Sequence, residues 1–468
     1  MSALTYSRPA PAIATPQAPP ITGHGRLPIG PLLPVAGANV QVPLIDGRLV
    51  RYANLDYAAS APALQAVTDL VSQALPYYSS VHRGAGYTSQ VSTRLYESAR
   101  AEIARFAGAR EDDVTIFVRN TTDALNLHAS AVPEDGEVLV LDVEHHANLL
   151  PWASRRHRLI SAAETLSGTV EKLRTALTAG APALVAVTGA SNVTGEITPL
   201  GDIIALAHAH GARVVVDAAQ LAPHRRIDLR TLGADYLAFS GHKTYAPLGS
   251  GVLIGRADWL DRATPYQLGG GAVREVRATG QADWADGAAR HEGGTPNVLG
   301  AAALAAACRT ISELDDRAVQ AHESALRQRL VDGLSQLPGV RVLRIWPDST
   351  DAVGVVGFTV AGHDPGLIAA YLSAEHGIGV RDGRFCAHPL LARLGAGDGA
   401  LRASLGLGSH SDDVERLIAA LRQLIDHGES YRYVLDGGRW VPAEDSRPAP
   451  DWVPWGQNDS AGASPCQS

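Results

Sequence analysis

Residues 214–217, Val-Val-Val-Asp, and residues 236–243, Tyr-Leu-Ala-Phe-Ser-Gly-His-Lys, decide the fold of this chain. Each begins as a short apolar run and ends on polar residues, as a buried parallel strand does at the edge of its sheet. Ligands of such sheets bind outside the carboxyl ends of the strands. The two stretches therefore predict that the Asp217 carboxylate and the Lys243 amine meet in one crevice.

A lysine and a carboxylate at neighbouring strand ends have two interpretations. Pyridoxal 5'-phosphate (PLP) needs a lysine to form an imine with its aldehyde. It also needs a carboxylate that keeps the pyridine nitrogen protonated, so that the ring takes up electrons. A plain ion pair at the strand ends is the alternative, and spacing alone does not separate the two.

The pattern around these stretches predicts an α/β protein. Helix-like segments, such as Ile203–His210 and Arg94–Gly108, accompany further apolar runs at Val114–Val118, Val138–Leu141 and Ala183–Val187. This alternation is typical of a wound, mostly parallel sheet covered by helices on both faces. A second unit follows from about residue 316. Its helix-like and strand-like stretches predict a smaller α+β domain: Arg317–Leu337, Val340–Ile345, Gly354–Val360 and Ser411–His427.

The predicted organisation has four parts. Residues 1–40 are rich in Pro, Ala and Gly without periodicity, which predicts a disordered N-terminal extension. Residues 41–315 form the large domain, which opens with a hairpin at Pro43–Tyr52. Residues 316–430 form the small domain. Residues 431–468 form a C-terminal extension.

Composition excludes several classes of protein. The 468 residues carry a net charge of −8 and no long Lys/Arg run, which argues against nucleic-acid and anionic-membrane partners. A run of about 18 apolar residues and a secretory signal are both absent, so we expect no membrane span and a cytoplasmic location. The three cysteines, Cys308, Cys386 and Cys466, are too widely spaced to suggest a disulfide scaffold or a metal site.

Three other motifs are ambiguous by themselves. Asn120-Thr121-Thr122 precedes a helix-like segment and fits either a phosphate site or a plain helix cap. The pair His145-His146 fits metal binding, acid–base work, ring stacking or a structural role. Arg384 and His388 flank Cys386 and favour its thiolate, whereas a loop cysteine without a role is the alternative.

Together the motifs resemble those of the class V aminotransferase family, within it the SUF-type (group II) cysteine desulfurases and selenocysteine lyases. The resemblance runs from Tyr52 to about His427. The motifs that carry it stand in order: Leu55-Asp56-Tyr57-Ala58-Ala59-Ser60, Val81-His82-Arg83-Gly84, Arg119-Asn120-Thr121-Thr122, Glu144-His145-His146-Ala147-Asn148, Ser191-Asn192-Val193-Thr194-Gly195, Asp217-Ala218-Ala219-Gln220, Ser240-Gly241-His242-Lys243 and Gly294-Thr295-Pro296-Asn297. It implies a PLP-dependent transferase of fold type I, with a mixed, mostly parallel sheet in the large domain.

The resemblance also implies roles for individual residues. Lys243, Cys386 and His145 are the implied catalytic residues, and His145 also stacks on the cofactor ring. The remaining implied cofactor ligands are Thr121, Thr122, Asn192, Asp217, Gln220, Ser240, His242 and Thr295. Thr295 is implied to reach the phosphate of a partner subunit, hence a homodimer. The implied substrate ligands are His82, Arg381 and Arg402, and His224 matches a further histidine that lines the family's site. No residue is implied to bind metal.

The reaction implied is conversion of L-cysteine to L-alanine, with the sulfur held as a persulfide on Cys386 and passed to a sulfur-acceptor protein. A selenocysteine lyase, another amino-acid lyase, an epimerase or a transaminase is the alternative.

Two stretches depart from the resemblance. Residues 405–409 read Leu-Gly-Leu-Gly-Ser where a Tyr-Asn-Thr signal is common, and residues 383–385 read Gly-Arg-Phe where Gly-His-His is common.

Overall fold

A computed structural model describes residues 27–450 and residue 452. The helices described are α1 (Gln65–Ala74), α2 (Tyr87–Phe106), α3 (Thr121–Ala131), α4 (His146–Leu149), α5 (Leu166–Thr178), α6 (Leu200–Ala209), α7 (Leu229–Leu232), α8 (Ala257–Arg262), α9 (Val298–Ser312), α10 (Asp316–Ser335), α11 (Pro365–His376), α12 (His388–Arg393) and α13 (Ser411–His427). The strands described are β1 (Gln41–Pro43), β2 (Leu49–Arg51), β3 (Ala53–Asn54), β4 (Asp113–Val118), β5 (Val138–Leu141), β6 (His157–Ile160), β7 (Leu184–Thr188), β8 (Arg213–Asp217), β9 (Tyr236–Ser240), β10 (Gly251–Arg256), β11 (Val273–Val276), β12 (Ala282–Trp284), β13 (Val340–Val342), β14 (Val355–Val360), β15 (Ile378–Gly379), β16 (Arg381–Gly383), β17 (Ala400–Ser404), β18 (Tyr433–Asp436) and β19 (Arg439–Pro442).

A seven-stranded sheet in the order β4-β10-β9-β8-β7-β5-β6 forms the centre of the larger unit. Strands β9, β8, β7 and β5 are parallel neighbours, as the apolar runs predict, and β6, which was not predicted, continues the parallel order beside β5. Strand β10 lies between β4 and β9 and is antiparallel to both. The expectation that Val114–Val118 pairs in parallel is therefore wrong. The strand that it pairs with, Gly251–Arg256, was not predicted.

The strand ends that carry the polar motifs lie at one edge of this sheet. Gly251 pairs with Val118 of β4 and with Ser240 of β9, so both strands end at the same level. A Cβ at position 251 would lie 2.7 Å from the Cα of Asn120, so only glycine allows this close approach. Asp217 ends β8 beside them. The pairing thus brings the start of α3, Ser240 and Asp217 to one edge.

The smaller unit is a four-stranded antiparallel sheet, β13-β14-β17-β16, packed against α10, α11 and α13. Its core includes Leu326, Phe358, Tyr371, Leu401 and Leu417, all fully buried. The observed α13 has the predicted bounds, and α10 begins at the predicted start of this unit. The division of the chain into separate domains stays a prediction.

The N-terminal residues that the structure describes are ordered against both units, so the prediction of disorder is wrong for residues 27–40. The backbone N–H groups of Leu32 and Leu33 donate to the Leu407 carbonyl, at 2.8 and 3.1 Å, and Val35 is buried. Ala36 donates to the carbonyl of Ala63 at 2.8 Å. Tertiary hydrogen bonds order this segment, although its Pro- and Gly-rich composition predicts disorder. The rest of that prediction, residues 1–26, lies outside the described residues.

The hairpins near the two ends of the described chain are short. The predicted hairpin at Pro43–Tyr52 is confirmed, because β1 and β2 pair antiparallel. In the C-terminal extension, β18 and β19 form a second hairpin that packs on α11, and the Tyr433 hydroxyl donates to Glu375 at 3.0 Å. Residues 453–468, including Cys466, lie outside the described part. None of the described helices is both long enough and apolar enough to cross a membrane.

A buried histidine beneath the large sheet predicts a pH-dependent stability. His128 is fully buried among Tyr236, Trp152 and Trp259, and neither ring nitrogen has a hydrogen-bond partner in the described structure. Burial, with a smaller contribution from Arg213, lowers the pKa of His128 to about 3 from 6.5. Between these values the unfolded chain binds a proton that the folded chain does not. Stability is therefore complete above about pH 6.5 and is lost as the pH falls.

We expect the substitution His128→Phe to remove the loss of folding stability that His128 causes below about pH 6.5. At pH 5 the predicted advantage over the wild type is about 2 kcal/mol, from roughly 1.4 kcal/mol per pH unit over the window. Thermal unfolding measured from pH 7 to pH 5 checks it. The exposed His427, changed to Phe, is the matched control and should follow the wild type. Parallel curves for all three proteins would contradict the prediction.

Candidate active site

A cavity of about 360 Å³ opens at the carboxyl edge of the large sheet, where the smaller unit meets it. Most of the residues predicted for the site line this cavity: Thr121, Thr122, His145, Asn192, Asp217, Gln220, Ser240, His242, Lys243, Arg381, Cys386 and Arg402. The cavity therefore brings together residues that lie up to nearly 300 positions apart in the sequence.

Lys243 and Asp217 face the same cavity and influence each other electrically. Burial lowers the pKa of Lys243 to about 8, and the Asp217 carboxylate opposes that effect. Burial raises the pKa of Asp217, whereas the Ala219 backbone N–H, 2.9 Å from Oδ1, and the charge of Lys243 lower it. Near pH 8 a large fraction of the lysine is a neutral amine. That form attacks an aldehyde carbon.

The N-terminus of α3 lines the cavity with groups that suit an anion. Asn120 caps this helix, since its side chain accepts from the Asp123 N–H at 3.0 Å. Thr121 and Thr122 are therefore not needed as caps. The Ser240 hydroxyl lies 2.7 Å from the Thr121 nitrogen and 2.6 Å from its hydroxyl. Hydroxyl groups gathered at a helix N-terminus suit a phosphate.

His145 sits on the cavity wall as a neutral ring. Its Nδ1 accepts from the Ala147 N–H at 3.0 Å, which places the ring proton on Nε2. Burial, and then the charge of Lys243, lower the pKa of His145 to about 3. A neutral planar ring suits stacking and proton donation through Nε2.

In the described part of the chain no three His, Cys, Asp or Glu side chains form a group that could hold a metal ion.

Two amide side chains complete the floor of the cavity, and they differ in what they bind. Gln220 donates from Nε2 to the Ala58 carbonyl at 2.8 Å, and its Oε1 is buried without a hydrogen-bond partner in the described structure. Such an atom needs a donor, and a ring hydroxyl is one. The Nδ2 group of Asn192 donates instead to the Phe385 carbonyl at 2.8 Å. Asn192 thus holds the loop that carries Cys386.

Arg402 lies buried at the opposite end of the cavity. Its guanidinium donates to the Asn192 carbonyl at 3.0 Å and to Asp56 at 3.1 Å, and its Nε has no partner among the described atoms. It also stacks over Phe385, with 5.2 Å from Cζ to the ring centroid. Burial lowers the pKa of Arg402, and Asp56 opposes this. A guanidinium with an open edge in a cavity is suited to a carboxylate ligand.

Cys386 enters the cavity from a strained turn. Phe385 and Cys386 have φ angles of 52° and 51°, a left-handed conformation that costs a non-glycine residue about 1–3 kcal/mol. A thiolate at Cys386 raises the pKa of both Lys243 and Arg402. The thiol is thus held close to the amine and the guanidinium of the same site.

Three predicted residues lie elsewhere. His82 is half-exposed on the surface, 2.9 Å from Glu97, and does not line this cavity, so its contact with the substrate stays a prediction. His224 is also not in the cavity, because its Nδ1 is engaged by the buried Glu323 at 2.6 Å. Thr295 lines a different cavity of about 210 Å³.

Two residues of the quoted motifs received no role from the sequence and have one in the structure. Asp56 braces Arg402. Glu144 is fully buried, and burial raises its pKa to about 8. Its carboxyl group accepts from Asn148 at 2.8 Å and from the Thr188 N–H at 3.0 Å, which ties α4 to the end of β7. Both are acidic residues beside strand ends, and this position was the only feature of the sequence that could have pointed to a role for them.

The residues present fit PLP: a lysine for the aldehyde, an acid for the pyridine nitrogen, hydroxyls and a helix N-terminus for the phosphate, and the open Gln220 oxygen for the ring hydroxyl. Fold and cavity together therefore define a PLP-dependent enzyme. A sequence profile of the family described as "Aminotransferase class-V" matches residues 53–417. The chain belongs to this family.

Individual relatives agree with the family assignment. The chain is 37% identical over 391 residues to the cysteine desulfurase of Dickeya dadantii, covering 81% of this chain and 93% of the relative. It is 37% identical over 399 residues to a probable cysteine desulfurase of Vibrio cholerae, covering 82% and 95%. The crystal structure of the Escherichia coli cysteine desulfurase CsdA superimposes with a TM-score of 0.72 at 32% identity, covering 80% of this chain and 95% of that one. The apo cysteine desulfurase of Thermococcus onnurineus gives 0.73 at 32% identity, with the same coverages. The predicted fold class is thereby confirmed.

Proposed function

We propose that this protein is a PLP-dependent cysteine desulfurase that converts L-cysteine to L-alanine and takes up the sulfur on Cys386. The observation that carries the proposal is the position of Cys386. It lines one cavity with Lys243 and Arg402, and a thiolate at this position raises the pKa of both. Transaminases and epimerases need the lysine and the arginine but have no use for a thiol at that point.

The cofactor, when bound, supplies an electron sink for the bond that breaks at the amino acid's α-carbon. Asp217, which the Ala219 N–H fixes in place, would keep the pyridine nitrogen protonated. The α3 N-terminus and Ser240 would hold the phosphate. His145 would support the ring face and has a proton to donate at Nε2.

The substrate is oriented by its charges. Arg402, with Asp56 and Asn192 fixing two of its nitrogens, presents its remaining edge to the substrate carboxylate. Lys243, whose pKa burial lowers to about 8, would be available in part as a neutral base to move the α-proton. The Cys386 thiolate then attacks the substrate sulfur. The carbon–sulfur bond breaks, its electron pair stays with the carbon, and a proton added there yields alanine. Cys386 keeps the sulfur as a persulfide, so no outside oxidant or reductant is needed.

An assay on the purified holoenzyme tests this proposal. L-Cysteine added without a reducing agent should release alanine in a burst of about one per active site, and the peptide that contains Cys386 should gain one sulfur atom by mass spectrometry. Parallel rates on selenocysteine separate a desulfurase from a selenocysteine lyase. A racemised amino acid or a keto acid, with no added sulfur on Cys386, would instead identify a different class V activity.

The arginine in the cavity gives a prediction about substrate affinity. We expect Arg402→Lys to raise KM for L-cysteine by about 10–100-fold with a smaller change in kcat, because a lysine cannot form the two parallel hydrogen bonds of a guanidinium. Steady-state alanine release measures both constants. Arg384→Lys, in the loop before Cys386 but outside the cavity lining, is the control and should leave KM close to the wild-type value. An unchanged KM in the Arg402 variant would remove this residue from substrate binding.

The proposal includes partners. A homodimer is supported by the position of Thr295, which lies outside the cavity of its own chain and so is free to serve the phosphate site of a second copy. A persulfide on Cys386 requires an acceptor for its sulfur, and we propose a protein acceptor in the cytoplasm. Analytical ultracentrifugation tests the dimer.

A further inference from the structure

The backbone around Cys386 is held from outside at three points. Asn192 donates from Nδ2 to the Phe385 carbonyl at 2.8 Å. The backbone N–H of His146 donates to the Cys386 carbonyl at 2.8 Å. The backbone N–H of His388 donates to Nε2 of the His146 ring at 3.4 Å. His146 therefore supplies two of these hydrogen bonds, to the Cys386 carbonyl and from the His388 N–H, and Asn192 supplies the one at Phe385.

This segment needs restraint because of its conformation. Two successive non-glycine residues in the left-handed region are uncommon, and such geometry persists only where the surroundings impose it. Released from its contacts, the segment is expected to relax toward more ordinary angles. The Cys386 sulfur would then leave its place in the cavity.

The ring of His146 is suited to accept this hydrogen bond. Burial, and then the neighbouring His388, lower the pKa of His146, so the ring is neutral near pH 7 and Nε2 keeps its lone pair. The two rings also pack edge to face, with centroids 4.5 Å apart and planes at 78°. His146 does not line the cavity, whereas its neighbour His145 does. The two histidines of the motif thus have separate tasks.

We propose that His146 is a positioning residue for sulfur transfer, holding the Cys386 backbone so that the thiol stays directed at the substrate. The proposal rests on the proposed cysteine desulfurase function. It assigns to His146 no contact with the substrate or the cofactor. Its effect is therefore confined to the step that uses the thiol, and binding of cysteine at Lys243 is unaffected.

Two variants of the full-length holoenzyme separate the ring hydrogen bond from the backbone one. In His146→Gln the side-chain oxygen reaches the place of Nε2 and still accepts from His388, whereas His146→Leu has no acceptor; both keep the backbone N–H. We expect the Leu variant to form alanine in the first turnover about 10–100-fold more slowly than wild type, since small misplacements of a reacting atom cost this much. The Gln variant should stay within about threefold. The absorbance change on mixing with L-cysteine, which reports the exchange at Lys243, should keep its wild-type rate in both.

Other results would overturn the proposal. A Leu variant with a wild-type alanine burst removes the positioning role, and a Gln variant as slow as Leu shows that the ring matters for another reason. Alkylation of Cys386 by iodoacetamide, followed by mass spectrometry of its peptide, tests the restraint without any turnover. The Leu variant should differ from wild type and Gln by more than about threefold in this rate, the change that a shifted thiol environment produces. Equal alkylation rates in all three proteins overturn the positioning role of His146, whether or not the wild type makes alanine. A wild type that makes no alanine would by itself refute only the proposed desulfurase function.

Discussion

Cys386→Ala is expected to abolish sulfur transfer from L-cysteine while leaving the cofactor bound. Among the described residues that line the cavity, Cys386 is the only cysteine, and alanine in its place has no nucleophile to offer. We expect alanine formation to fall by about 10³-fold or more, as removal of a covalent nucleophile does. The variant should still bind L-cysteine at Lys243, because neither Asp217 nor Arg402 is altered.

The measurement combines alanine release with absorbance. Cys308→Ala is a matched control, because Cys308 is fully buried in α9 and does not line the cavity. This control should retain wild-type activity. A Cys386→Ala protein that transfers sulfur at more than a few per cent of the wild-type rate would refute the proposed mechanism and leave the alternative class V activities.

Lys243→Ala is expected to remove both the covalent hold on the cofactor and the base at the α-carbon. The purified variant should lack the imine absorbance at roughly 420 nm that the wild type shows. Its turnover should fall by at least about 10³-fold, since it loses a nucleophile and a general base together. Absorbance spectra and alanine release measure the two effects.

The chain provides an unusually clean control for this experiment. It contains two lysines, Lys243 and Lys172, and Lys172 is exposed on α5. Lys172→Ala should behave as wild type. Borohydride reduction of the holoenzyme should fix the cofactor on the Lys243 peptide alone, and label on Lys172 would contradict the assignment.

The pKa of Lys243 gives the same experiment a pH dependence. Because burial lowers that pKa to about 8 from 10.5, the neutral amine accumulates as the pH rises and is the main form above about pH 8. The rate at which apo-enzyme takes up PLP should therefore rise with pH, pass its midpoint near pH 8 and level off above it. With a lysine of ordinary pKa, the rate of PLP uptake would still be increasing at pH 10.

The centre of the site was predictable from the sequence because it depends on strand ends. Parallel strands bring their carboxyl ends to one edge wherever they lie in the sheet, so the acid after β8 and the lysine after β9 had to be neighbours. The helix start after β4 followed in the same way. These placements need only the order of apolar runs and polar residues.

Other parts depend on contacts that leave no mark in the local pattern. Phe385 and Cys386 adopt positive φ angles without being glycine, and the cause is hydrogen bonds from residues about 190 and 240 positions away. The antiparallel direction of β10 is likewise not encoded in its short apolar run. Asp56 was passed over because its partner, Arg402, is distant in sequence.

The N-terminal residues 29–40 have a practical consequence for anyone preparing this protein. Ile29 and Ser411 exchange hydrogen bonds, and the Leu407 carbonyl accepts from Leu32, so this stretch covers residues 405–411, which include the residues 405–409 that depart from the family resemblance. An expression plasmid cut back to residue 53, where the family match begins, deletes that cover and exposes the apolar residues that bury Val35, such as Leu64. Affinity tags and protease sites therefore belong upstream of Leu27.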